Sequence, residues 1–329
     1  MKTQRRRLLA GLGTMAGGAL ASARVWAQGQ AGGQPDRPVT VVVPYPPGAS
    51  TDQVARLVQA KMMGSVGQSV VIDYKPGGSG TIGAAYVARS PADSHRILLA
   101  TQPILTISPH LQSMGFDTLK DLTPLTNAVN AVVAIAVHPS LPVNTLAELI
   151  DYSRRNPGTL SFGSAGAGSP QHVGGVLLGQ RAGLDWQHVG YKGGGPMNTD
   201  LLAGHIKCGI ATLSVFKPFM ADRRLKVIAL GEPTRYPGAP DVPTIAETVP
   251  GFELNTWLAF YGPAGMPAAQ VAFYANEIRK ALLAPDVSAR LAEVALIVDP
   301  QGPESLARLT RRDFELYGKV IRDNGITGG

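Results

Sequence analysis

A β-branched run, Val39 to Val43, gives way within a few residues to Pro47-Gly48-Ala49 and then to Ser50-Thr51-Asp52-Gln53. Five β-branched residues in succession, four of them valine, read as a strand buried on both faces, as in a parallel sheet. Ser50 is expected as a helix N-cap, with Gln53 three residues later completing a capping box. Gly48 and Ala49 lack bulk, so a ligand can approach the backbone. The first turn of the helix offers unpaired N–H groups and the positive end of a dipole, a setting for a small anion. The stretch from Leu160 to His172 repeats the plan: strand, glycine-rich turn Ser164-Ala165-Gly166-Ala167-Gly168, then Ser169 at N-cap and Pro170 at N1. A parallel α/β chain with one anion-competent helix start in each half suits a receptor whose two lobes close on one ligand.

Further motifs extend the pattern. Lys75-Pro76-Gly77-Gly78-Ser79-Gly80, Phe116-Asp117 with Lys120-Asp121-Leu122-Thr123-Pro124, and Tyr191-Lys192-Gly193-Gly194-Gly195-Pro196 occur in order. So do Pro240-Asp241-Val242-Pro243-Thr244 with Glu247, Pro250-Gly251-Phe252, Trp257, and Gly262-Pro263-Ala264-Gly265-Met266-Pro267. Together with both loops they resemble the substrate-binding receptors of tripartite tricarboxylate transporters, the Bug family, over nearly the whole chain beyond the leader. The chain departs from that pattern at Ala49, where a second glycine is usual, at Asp73-Tyr74 for Glu-Asn, at Gly190 for proline, and at Lys207-Cys208. The resemblance implies a two-lobed periplasmic binding protein (type II-like), with parallel-rich sheets, flanking helices and a hinge. It also implies a mono- or dicarboxylate held by backbone and water-mediated contacts and passed to large and small membrane transporter subunits.

The N-terminus carries Arg5-Arg6-Arg7, an apolar run from Leu8 to Ala23, and Val25-Trp26-Ala27. This reads as an export signal over residues 1–27, by the general or the twin-arginine route, with the exported chain starting near Gln28 in the periplasm. No cysteine there supports a lipid anchor. The net charge of +7 shrinks to about +2 once Lys2 and the leader arginines are removed, which argues against nucleic acid as a partner. Cys208 is the single cysteine, so no internal disulfide can form and the core must carry the fold.

Alternating strand and helix signals assign residues 28–126 and 248–329 to lobe 1 and residues 127–247 to lobe 2. Candidate ligand-binding residues are Tyr45, Pro47, Gly48, Ala49, Ser50, Thr51 and Asp52 from lobe 1. Lobe 2 offers Ser164, Ala165, Gly166, Gly168, Ser169, His172, Tyr191, Thr212 and Ser214. Asp52 is read as a scaffold acid at the helix start, because a bare carboxylate would repel an anionic ligand. For His172, capping its own helix competes with facing the cleft.

Other chemistry is poorly supported. Gly78-Ser79-Gly80-Thr81-Ile82-Gly83 matches a dinucleotide-loop pattern, yet no strand ending in an acid follows at the required distance. Ser214-Val215-Phe216-Lys217 lacks companion catalytic motifs. The histidines show no metal-ligand spacing. No cofactor and no metal are expected, and a monomer is. The rival readings are an exported hydrolase using Ser164 or Ser214, for which His172 is the base on offer, and a sensing subunit that signals through a partner.

Overall fold

A computed structural model describes residues 33–48, 50–93 and 95–328; the leader and Ala49 lie outside the described residues. In chain order the first elements are β1 (Val39–Val43), α1 (Ser50–Met62), β2 (Val70–Tyr74), α2 (Thr81–Ala88), β3 (Arg96–Thr101), α3 (Gln102–Thr106), α4 (Ser108–Leu111) and β4 (Leu122–Val137). They are followed by α5 (Leu146–Arg155), β5 (Leu160–Ser164), α6 (Pro170–Ala182), β6 (Trp186–Gly190), α7 (Gly194–Ala203), β7 (Cys208–Thr212), α8 (Leu213–Phe216) and β8 (Lys226–Leu230). The chain ends with α9 (Ile245–Thr248), β9 (Asn255–Pro263), α10 (Ala268–Leu282), α11 (Pro285–Glu293), β10 (Leu296–Val298) and α12 (Pro303–Asp323).

The strands form one curled mixed sheet in the order β2-β1-β3-β9-β4-β7-β5-β6, with β8 and β10 also paired to β4. Pairing is parallel at both ends, β1 with β2 and β3, and β5 with β6 and β7. It is antiparallel through the middle, where β4 and β9 run alongside each other. Helices cover both faces.

The long strand β4 explains the curl. From Leu122 to Val132 it pairs with β9, and from Val133 to Val137 with β7. Two register shifts interrupt its pairing with β9 and one its pairing with β8, and such irregularities bend and twist a strand. Separate apolar clusters form on either side. One packs β1, β3, β9 and Ala131 against α1, α10 and α11, and two others pack the β5–β8 region against α5, α6 and α7. A smaller cluster spans both sides: Ile107, Val173, Tyr317, Val320 and Ile321 bring the C-terminal part of α12 and the end of α3 onto α6.

Helix α12 buries Leu306, Tyr317 and Ile321, and also Thr310 and Asp313. Asp313 Oδ2 accepts from Gln102 Nε2 and Trp257 Nε1, each at 2.8 Å, so a buried carboxylate rather than Phe314 anchors that turn. Phe314 sits at the half-buried edge. No described helix is long and apolar enough to cross a membrane.

Candidate functional site

The first loop leaves the sheet at the C-terminal end of β1. The helix begins at Ser50, so Ser50 is the first helical residue rather than the cap that the sequence predicts. The turn is closed instead by Asp52, only 8% exposed. Its Oδ2 accepts from the Gly48 N–H at 2.9 Å, and its Oδ1 accepts from Arg56 Nε at 2.8 Å and from the Tyr74 hydroxyl. A carboxylate with two oxygens can satisfy three donors at once, which a serine cap cannot. Burial pushes the Asp52 carboxyl up, but the bonds from Tyr74, Gly48 and Arg56 outweigh it and hold it below the usual carboxylate range. Gly48 has φ +97°, a conformation in which a side chain is strained, and no atom stands within 4 Å of where a Cβ would be.

Thr51 is 2% exposed and its Oγ1 is buried with no partner among the described residues. Tyr45 lies at the root of the loop, its hydroxyl 3.0 Å from Thr101 Oγ1, and Pro47 is exposed.

The second loop is held by a denser network. Ser169 is the N-cap of α6, its Oγ accepting from the His172 N–H at 3.1 Å. The His172 ring turns back, its Nδ1 accepting from the Gly168 N–H at 3.0 Å. Nδ1 is therefore unprotonated, and burial holds His172 below the usual histidine range. His172 thus takes the capping alternative that the sequence leaves open. The His172 ring stacks on His188, with centroids 3.6 Å apart and planes inclined at 15°. His188 Nε2 lies 2.7 Å from Ser164 Oγ, which also accepts from the Gly166 N–H and the Ser169 hydroxyl, each at 3.2 Å.

Ser164 is fully buried, so its hydroxyl braces the loop and does not line a cleft. Ala165 accepts from the Gly193 N–H at 3.1 Å, and the Tyr191 hydroxyl donates to Asp200 at 2.9 Å. The first bond, together with that from the Tyr191 N–H to the Ser164 carbonyl at 3.1 Å, ties the Gly193 turn to the same loop, and the second ties it to α7.

The strands β5 and β7 are parallel neighbours, so their C-terminal ends lie side by side. This brings Thr212 and Ser214, whose hydroxyls are 3.0 Å apart, to the sheet edge that faces the first loop. Between them is a cavity of about 550 Å³. Gly48, Ser50, Asp52, Gln53 and Arg56 form one wall and Thr212 and Ser214 the other, with Ala131 and residues 294–296 as the floor. Of the sequence candidates, Gly48, Ser50, Asp52, Thr212 and Ser214 meet here. The side chains of Tyr45, Pro47, Thr51, Ser164, Ser169, His172 and Tyr191, and the backbone of Ala165, Gly166 and Gly168, do not line it.

Three residues of the site are invisible to motif reading: His188, Arg56 and Tyr74. Arg56 could be found from its i+4 spacing to Asp52, whereas His188 requires the parallel register that pairs it with Phe162. The Ser164–His188 contact has the reach of a nucleophile–base pair, but the serine is inaccessible and the histidine is stacked on a second imidazole. Burial, followed by the neighbouring His172, pushes His188 down to about 4. Ser214 and Lys217 do not cooperate either, since Lys217 Nζ turns to the Glu293 carbonyl at 3.5 Å. Among the described residues no group of three or more histidine, cysteine or carboxylate side chains could hold a metal ion.

Helix starts and hydroxyls converging from two separately cored parts of one curled sheet define the class of α/β solute-binding receptors. Within that class the chain belongs to the tripartite tricarboxylate transporter family receptors, whose family pattern matches residues 54–326. A UPF0065 protein encoded between tcbD and tcbE in Pseudomonas sp. (strain P51) is 34% identical over 319 residues, 96% of this chain and 94% of that protein. Among solved structures, R. palustris Rpa4515 with adipate is 33% identical with a TM-score of 0.74, covering 89% of this chain and 99% of that one. MatC from Rhodopseudomonas palustris with bound malate is 28% identical with a TM-score of 0.70, covering 87% and 99%.

Proposed function

We propose that this chain is an exported receptor that captures a small mono- or dicarboxylate in the cavity between Gly48 and Thr212 and delivers it to the large and small subunits of a membrane transporter. The observation that carries the reading is that cavity. One wall is the start of a helix of 13 residues, whose first-turn N–H groups have no partner inside the helix, and the other holds the Thr212 and Ser214 hydroxyls, bonded to each other. The Asp52 charge is already met by three donors, so it orders the wall without repelling an anion. Adipate and malate in the two solved relatives support the ligand class.

In this reading the first loop, framed by Tyr45 and Pro47, anchors a carboxylate through the backbone N–H groups of Ala49, Ser50 and Thr51. The second loop, Ser164 to Ser169 with His172 and Tyr191, approaches on closure. Residues 28–126 and 248–329 move as one lobe and 127–247 as the other, with the change of pairing partner in β4 as the hinge. The receptor works in the periplasm as a monomer, without cofactor or catalysis.

Calorimetry and thermal shift of the exported chain against a carboxylate panel test this. A saturable response to at least one carboxylate, with the ligand recovered unaltered, is expected. No response to any carboxylate, or turnover that disappears in Ser164→Ala, overturns it. Small-angle scattering should show a smaller radius of gyration with ligand.

A further inference from the structure

A second cavity, of about 430 Å³, lies away from the first, where β4, β9 and the chain after β8 meet α12. Asn130, Glu232, Glu253, Asp299, Arg308 and Arg312 are among its lining residues, with the Trp257 edge and Leu309 as apolar wall. Gly231 lets β8 end hard against Leu254, where any side chain would collide with the Leu254 carbonyl, and Glu232, the next residue, is part of the cavity wall. Glu232 is 6% exposed, and its Oε1 is buried without a hydrogen-bond partner among the described residues.

The neighbouring charges are differently placed. Asp299 Oδ2 accepts from Asn130 Nδ2 at 3.1 Å and Gln301 Nε2 at 2.8 Å, and Glu253 faces Arg312 at 3.9 Å. Glu232 alone has an unmet demand. Burial, then the charges of Glu253 and Asp299, push its carboxyl up to about 7. The groups that face it are Glu253 ahead of β9, Asp299 after β10, Arg308 and Arg312 on α12, and Tyr236, whose hydroxyl donates to the Ala292 carbonyl.

We propose that this cavity is a second binding site, one that takes a small primary-ammonium compound with Glu232 as its anchor. A bare buried carboxylate between two others is stabilised by a cation that brings N–H donors. The polar side chains of Asn130, Asn255, Gln301 and Ser305 can accept the remaining ammonium hydrogens. No three carboxylates close on one point, so a metal ion fits less well than an ammonium group that can span the space. The site uses none of the residues assigned to the carboxylate cleft.

The test is calorimetry on the full exported chain with methylammonium, ethanolamine and putrescine, with tetramethylammonium and sodium chloride at matched ionic strength as controls. At least one primary amine should bind saturably, and tetramethylammonium, which has no N–H, should not. Glu232→Gln should weaken amine binding by about tenfold or more, as expected for a lost charged hydrogen bond, and leave carboxylate binding unchanged. Because the amine needs Glu232 ionised, native affinity should rise from about pH 6 to about pH 8, which decides the matter even if the variant folds poorly. No saturable amine binding across that range, a response equal to that of tetramethylammonium, or undiminished binding in a folded Glu232→Gln protein overturns the proposal. A pH-dependent stability without amine binding does so too.

Discussion

Replacing Asp52 with asparagine separates the ordering of the first loop from its charge. The carboxylate accepts from the Gly48 N–H, the Tyr74 hydroxyl and Arg56, using both oxygens. Asparagine keeps one acceptor, so either the Gly48 N–H or the Tyr74–Arg56 pair meets an amide donor instead. Losing a bond to a charged acceptor costs about 1.5–3 kcal/mol, reduced here because Gly48 is exposed and water can take over. A net loss of about 1–1.5 kcal/mol corresponds to a five- to tenfold rise in Kd for a carboxylate, read by calorimetry. Tm should fall by no more than about 2–4 °C.

The Arg56 side chain is 58% exposed, so Arg56→Met should change Kd less, by under about 1 kcal/mol. Acid should mimic the Asp52 substitution. The folded carboxyl lies below its unfolded value, so its contribution is present above about pH 4 and is lost as pH falls through the folded value. Unchanged affinity in Asp52→Asn, or an equal loss in Arg56→Met, would refute the assignment of Asp52 as the loop's organiser.

Four further outcomes are expected. Gly48→Val should remove carboxylate binding in calorimetry while circular dichroism stays native, because φ +97° is strained for valine yet nothing crowds the side chain. Cys208 is fully buried and burial pushes its thiol up to about 12, so a thiol reagent should label it only in denaturant; rapid native labelling would contradict the packing of β7. Glu232 favours its protonated form in the fold, a contribution present below about pH 4.3 and lost as pH rises through about 7. Denaturant titrations should therefore show Glu232→Gln gaining on the native chain between about pH 5 and pH 8, and parallel curves would remove the basis for a raised carboxyl. N-terminal sequencing of periplasmic protein should begin near Gln28, and a retained Met1 would contradict export.

Much of the first half was legible because its signals are local. The strand Val39–Val43 and the helix that follows it appear as the residues suggest, although the turn between them is closed by Asp52 and not by Ser50. The strand Trp186–Gly190 was not legible, since its residues are half-exposed or exposed and include His188 and Gly190, with no alternation to read. The strand Leu296–Val298 is too short for any period, and the antiparallel pairings of β9 and β10 with β4 join residues more than a hundred positions apart.

Of the candidates read from sequence, part of the first loop and Thr212 with Ser214 line the cavity, whereas the second loop does not, because the direction of its side chains was not legible. Ser164 and His172 turn inward because His188 arrives beside them from β6, and Ser50 yields the closing role to Asp52 because Tyr74 and Arg56 add donors there. The cavity floor, Ala131 with residues 294–296, has no motif at all, being small and aliphatic residues of β4 and of the chain from the end of α11 into β10.

The small cluster of Ile107, Val173, Tyr317, Val320 and Ile321 joins the two parts of the molecule where α12 and α3 meet α6. Separating them there would return apolar surface to water at about 25 cal/mol per Å². In the proposed closure about β4, this seam would stay packed like the spine of a book, so a ligand at Gly48 and Thr212 would have only to arrest a rotation and not to gather two drifting bodies.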